Sequence, residues 1–273
     1  MLDDIRAEAR KLLRRPAIWT LLAVALTLSL IFTYIVPYAG YAGGTSGPTA
    51  DRGLAAMLPD QLVGNAIGGL PVFLGALMLI LGVLTVGSEY AWGTWKTLLT
   101  QDPSRIRVYA AKLAVALLAA LAGVVAVFAA GAAASALIAS GENAPLDWPA
   151  VGDVLVGIGA GWLIAAMWTV LGALLAIVLR GVALPVGLGL VWLLAVQSLL
   201  SLIAAPLLGW VAQLQKGLPG PNAGSLVAAL GGGTDTPGVE AVVGGGQAAL
   251  VIAAYVIAFA ALGGATLRRR DIL

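Results

Sequence analysis

The sequence predicts an all-α membrane protein with six transmembrane helices, and three observations carry that reading. Only 28 of the 273 residues are charged, 15 Lys+Arg and 13 Asp+Glu. Hydrophobic residues make up 60% of the chain. Charges are absent from six long intervals: 16–50, 61–88, 113–141, 154–179, 181–215 and 241–267. A soluble domain carries about 25% charged residues, and 10% cannot solvate a globule of this size. Each interval exceeds the roughly 20 apolar residues that cross a ~30 Å hydrocarbon core at about 1.5 Å per residue.

Trimming the intervals at Gly, Pro and polar clusters places the spans near 17–36, 66–88, 113–139, 154–179, 182–205 and 248–267, within a single transmembrane domain covering 1–273. The first span has about 20 apolar residues, longer than a secretory h-region, and three acids precede it, so it reads as uncleaved. Lys and Arg are enriched on the cytoplasmic side of membrane proteins. With both termini cytoplasmic, 13 of the 15 basic residues fall inside, all except Arg52 and Lys216, and the acids divide six inside to seven outside. An odd number of spans would put the Arg268–Arg270 triplet on the wrong side. The basic pI of about 9.0 follows from this topology and needs no nucleic-acid partner.

The segment before the first span, residues 1–16, repeats Ile5, Ala9, Leu12 and Leu13 at helical spacing, with Arg6, Arg10 and Arg14 elsewhere on the wheel. That pattern predicts an amphipathic helix in the membrane interface, with Pro16 redirecting the chain into the span. Glu8, Lys11, Arg14 and Arg15 are its functional candidates. Between spans two and three, residues 89–112 are too long for a tight turn. Ala91, Trp95, Leu98 and Leu99 share one helical face there, and Asp102-Pro103-Ser104 reads as a turn with Asp102 or Ser104 as a cap.

Much chemistry is excluded at once. With no Cys and no His, the chain has no disulfide, no thiolate or imidazole metal site, no Cys nucleophile and no Ser-His-Asp triad. No Gly-x-x-x-x-Gly-Lys-Ser/Thr phosphate loop is present, and the Gly231–Gly233 and Gly244–Gly246 runs read as flexible outer loop. No ionisable group except Tyr lies inside a predicted span, Glu89 and Asp153 standing at the edges, which disfavours coupling by proton titration; an ion-coupled secondary transporter or channel that binds sodium through unwound backbone carbonyls is the alternative. Small residues prevail in the bundle, and Gly157 and Gly161 form a GxxxG whose expected use is close packing within the chain.

Glu89 leaving the second span, Gly93-Thr94, Leu98-Leu99, Pro103-Ser104-Arg105, Lys112, the Arg14-Arg15-Pro16 elbow, Leu218-Pro219 with Asn222-Ala223, and the terminal Arg268–Ile272 together resemble a known family. It is the six-span permease subunits of ABC-2 type exporters, in particular the bacterial bacitracin- and lantibiotic-resistance subgroup. The resemblance implies a bacterial inner-membrane subunit that exports a hydrophobic or amphipathic drug, antibiotic peptide or lipid. It implies pairing with a second permease copy and with cytoplasmic ATPase subunits that bind ATP and Mg, this chain binding no cofactor itself. By the same resemblance the 89–112 loop forms a cytoplasmic coupling helix on the ATPase, with Glu89, Gly93, Thr94, Pro103, Ser104 and Arg105 at the interface. An acid at a span's cytoplasmic end can accept hydrogen bonds or ion pairs from Arg or Lys on neighbouring elements, and Arg105 and Arg14 are the candidates for Glu89. Spans two and five would line a central cavity, with Thr85, Gln197, Ser198 and Ser201 as its polar groups, no carboxylate or Arg in the path, and 206–246 as an external or re-entrant gate.

Overall fold

A computed structural model describes residues 2–44, 52–95, 104–204 and 207–269, and every described regular element is helical. Helix α1 (Leu2–Leu13) precedes α2 (Pro16–Gly43), which contains a wide π turn at Ile31–Ile35. Two short 3₁₀ turns lead to α3 (Leu62–Ile67), followed by α4 (Phe73–Ala91), α5 (Arg105–Gly141) and α6 (Val151–Leu179). The run α7, residues 183–204, passes through π turns at Val191–Val196 and Leu200–Ala204 on either side of Gln197–Leu199. Helices α8 (Gly209–Gln215), α9 (Pro219–Ala229) and α10 (Gly245–Arg269) complete the chain. Among the described residues five helices, α2, α4, α5, α6 and α10, are long and apolar enough to cross a membrane, so the protein is multi-pass. The apolar part of α7 is shorter, Ala183–Leu199.

The second span begins later than the charge-free interval suggests. The chain is helical over α3, turns through 68–72, and becomes helical again at Phe73. Gly68-Gly69 gives little helical preference, and Pro71 has no N–H to donate and disfavours the α conformation at Leu70. The third span begins earlier than expected, because α5 continues back to Arg105 and takes Lys112 into its body.

Helix α6 is the centre of the bundle, with α4 and α10 packed against it. Ile164, Met167, Trp168 and Ile177 on α6 are fully buried in the same apolar core as Leu79 and Val83 of α4. The α4–α6 contact is a mutual backbone approach: a Cβ at Gly82 would lie 1.8 Å from the Thr169 carbonyl oxygen, and one at Gly172 would lie 2.1 Å from the Leu79 carbonyl oxygen. Gly157 and Gly161 are likewise used within the chain, against Val63 and Ile67 of α3. By contrast α2 keeps Trp19, Phe32, Ile35 and Tyr41 exposed, as an apolar helix bordered by lipid does.

Between α7 and α10 the chain dips into the bundle. The Tyr255 hydroxyl donates to the Gly217 carbonyl at 2.9 Å, and Tyr255 stands ten residues, about 15 Å, along α10 from Gly245. Helix α9 starts at that depth and is buried from Pro219 through Val227, with Pro219 in its first turn, where a missing N–H costs nothing. The Ser225 hydroxyl donates to the Glu240 carbonyl at 2.9 Å and accepts from the Val242 N–H at 3.0 Å, holding the following loop onto α9. The glycine runs expected as loop are partly structural. The Gly231 carbonyl fits where Gly64 has no side chain, and Gly245-Gly246 opens α10.

Alanine at Gly82 or Gly172 must push two backbones apart, an overpacking that costs about 1–3 kcal/mol. Each variant should melt several degrees below the parent in detergent, whereas Gly187→Ala, with open space at its Cβ, should leave the melting temperature unchanged.

Candidate functional site

The charged side chains expected to act at the basic end of the bundle converge on a residue that is not among the candidates read from sequence, Lys112. Its ammonium is completely buried and sits 2.7 Å from Glu8 Oε2 and 2.7 Å from Glu89 Oε1. Lys11 Nζ approaches the other Glu8 oxygen at 2.8 Å, and Arg15 Nη2 lies 3.9 Å from Glu89 Oε1 while Arg15 Nη1 donates to the Leu84 carbonyl at 3.0 Å. Two acids and three bases from α1, the entry to α2, α4 and α5 thus share one site. Burying a lysine is tolerable when its charge is met by carboxylates and hydrogen bonds, and two short contacts supply both.

Local sequence explains how each partner arrives. Helix α1 buries Glu8 and Leu12 together, so the inward face of the amphipathic helix carries an acid among its apolar residues. Helix α4 ends in a left-handed cap at Gly93, φ +65°. Around it the Gly93 N–H donates to the Tyr90 carbonyl at 3.3 Å and the Thr94 N–H to the Glu89 carbonyl at 3.0 Å, the paired bonds of a Schellman turn. That turn carries Thr94 back over the helix end, where its hydroxyl donates to Glu89 Oε2. In the Gly93-Thr94 pair, glycine therefore permits the turn and threonine completes the Glu89 coordination. Arg15 also lies over the Trp92 ring, 4.8 Å from its centroid, and Lys112 stands 6.0 Å from that of the buried Trp95.

Several expected partners are elsewhere. Neither Arg105 nor Arg14 pairs with Glu89: Arg105 Nη1 donates to the Leu267 carbonyl of α10 at 3.4 Å, and Arg14 is exposed. Ser104 occupies the N-cap position of α5 without a side-chain cap bond. Arg107 instead links α5 to α1 through Asp4 at 2.7 Å. Pro103, with Leu98, Leu99 and Asp102, lies outside the described residues. Sequence alone does not point to Lys112 as a hub, because a base at the mouth of a span usually marks topology, and its acids stand 104 and 23 positions away.

At the opposite end, Gln197, Ser198 and Ser201 line a cavity of about 320 Å³ together with Pro71, Val72, Gly220 and the loop 234–240. Thr85 does not line it: it lies toward the Glu89 end of α4, where its hydroxyl donates to the Leu81 carbonyl of its own helix at 2.8 Å. Asp235 and Glu240 also line this cavity. Both come from the loop between α9 and α10, which sequence order separates from α7 and the packing of α9 brings back.

Removing the central cation leaves two buried carboxylates facing each other, a loss of about 3–5 kcal/mol for such pairs. Lys112→Met should therefore fall well below the parent in thermal stability, and adding Glu8→Gln and Glu89→Gln to it should recover most of the loss. A triple variant no more stable than Lys112→Met would show that the cluster is not held together by charge neutralisation.

No curated protein matches the chain. A family model described as "ABC-2 family transporter protein" matches residues 5–197, from α1 through the first two-thirds of α7. That match covers more than two-thirds of the chain and includes every member of the charge cluster, so this protein belongs to the ABC-2 transporter family of membrane proteins.

Proposed function

We propose that the chain is the membrane-spanning permease subunit of an ATP-driven exporter that moves a hydrophobic or amphipathic compound, a drug, antibiotic peptide or lipid, out of a bacterial cell by alternating access. The observation that carries this reading is the Glu8–Lys112–Glu89 cluster. A device that transmits motion must fasten the segment that is pushed to the helices that move, and this cluster joins the elbow helix, the end of α4 and the start of α5 at the basic end. Residues 96–103 connect the latter two along the chain. The sequence lacks a phosphate-binding loop, and ABC-2 permeases work with an ATPase partner, so ATP and Mg belong on a second polypeptide.

In this reading α7 is a sixth span, both termini and the basic end face the cytoplasm, and the permease pairs with a second copy. Residues 89–112 dock on the ATPase, with Glu89, Gly93 and Thr94 holding the incoming segment and Pro103, Ser104 and Arg105 the outgoing one. The stretch α8–α9, of which α9 is buried, is the re-entrant gate at the outer face, and resistance to an antibiotic peptide is the corresponding physiological role.

Co-expression with an ATPase encoded nearby should yield a stable complex whose ATP hydrolysis the permease stimulates. Replacing Pro103-Ser104-Arg105 by Gly-Gly-Gly should reduce that stimulation at least tenfold while the permease still folds. Unchanged assembly, stimulation and transport would remove the coupling-loop assignment. Transport by the chain alone in ATPase-free liposomes, driven by an ion gradient, would favour a secondary carrier instead.

A further inference from the structure

The cavity at the distal end has a chemistry that its apolar surroundings do not require. Gln197 is 93% buried, since 7% of its surface is exposed, and its Nε2 has no hydrogen-bond partner among the described residues. Its amide lies directly against the Gly220 backbone, where a Cβ would come within 1.9 Å of Oε1, so the side chain is seated and cannot swing to a neighbour on that side. The hydroxyl-bearing Ser198 and Ser201 line the same space, and Asp235 and Glu240 close it from the outer loop. Arg52 is close by and donates to Thr236 Oγ1 at 3.3 Å; it does not line the cavity. A buried amide donor without an acceptor costs free energy that a ligand oxygen recovers.

The geometry points to a binding vestibule for an organic amine: a molecule whose ammonium meets Asp235 and Glu240 and whose carbonyl or sulfonyl oxygen accepts from Gln197. A bare metal ion does not fit this pattern, because it offers no acceptor to the amide, and a volume of about 320 Å³ falls within the range of small-molecule pockets. The two π stretches on either side of Gln197–Leu199 widen the helix where its polar groups are presented, as wide turns in functional helices do. The inference rests on the exporter reading in making this the outer station of the path, and it narrows the amphipathic cargo to cationic amphipaths.

The test uses the purified full-length chain in zwitterionic nanodiscs, with monodansylcadaverine as probe and its N-acetyl derivative, which lacks the charge, as control. Empty nanodiscs give the background of lipid partition. Saturable binding of the amine is expected, with the acetylated probe roughly tenfold weaker or more, the scale of one lost charge-assisted contact. The double variant Asp235→Asn, Glu240→Gln should remove the preference for the amine, and Gln197→Leu should weaken both probes alike. Equal affinity for the two probes, or an unchanged preference in the double variant, overturns the vestibule. Because binding needs no ATPase, the two readings fail separately. Lost amine preference alongside intact ATP-driven transport leaves the exporter standing, and amine binding without any ATPase association leaves the vestibule standing.

Discussion

A lysine ammonium with no exposed surface has to be neutralised where it sits, and in this protein that requirement decides how the basic end is built. Lys112 lies two turns inside α5, and among the described residues its carboxylate partners come from other elements: Glu8 from the amphipathic first helix and Glu89 from the end of α4. The first helix is therefore not simply resting on a membrane surface. It is pinned by a buried charge pair, and Arg15 continues the attachment to α4; a second pair, Arg107 with Asp4, lies exposed beside it. In water such contacts are worth little, but away from water the absence of any one partner strands the others.

The rest of the bundle supplies the rigidity that makes this arrangement useful. Between apolar helices in lipid, no hydrophobic gain favours helix over lipid tail, so association relies on close fit. The reciprocal seating of Gly82 and Gly172 against opposing carbonyl oxygens brings α4 and α6 as near as backbones can come. The Glu89-bearing α4 is thereby packed closely on α6, which in turn packs on α10. At the distal end the packing is different in kind. The buried α9 and the loop fastened to Ser225 surround a cavity, and the polar face of α7 opens onto it.

The candidate site is legible in the sequence to an uneven degree. Glu8, Lys11, Arg15, Glu89 and Thr94 all stand out in the sequence, and the structure brings them together. The residue that unites them reads in sequence as a topology marker, because nothing in the residues flanking Lys112 suggests burial. Its role depends on α5 running back to Arg105, and apolar patterning does not locate a helix start in a stretch that begins with charges. For the cavity, Gln197, Ser198 and Ser201 are visible as polar residues in an apolar run. Their carboxylate neighbours are not, since Asp235 and Glu240 belong to a loop whose position depends on α9 being buried.

What the sequence determined by itself was the solvent and the polarity of the molecule. The scarcity of charge, its absence from six intervals and the excess of bases on one set of connections follow from the cost of placing ionised groups in hydrocarbon, which is incurred residue by residue and so is written locally. Only the tertiary structure decided where the second span breaks, at Gly68–Val72, and where the third begins. It alone decided which acid meets which base. Those outcomes depend on contacts between residues far apart in the chain, where the energy of a buried charge or of a close glycine contact is set by the partner and not by the neighbouring sequence.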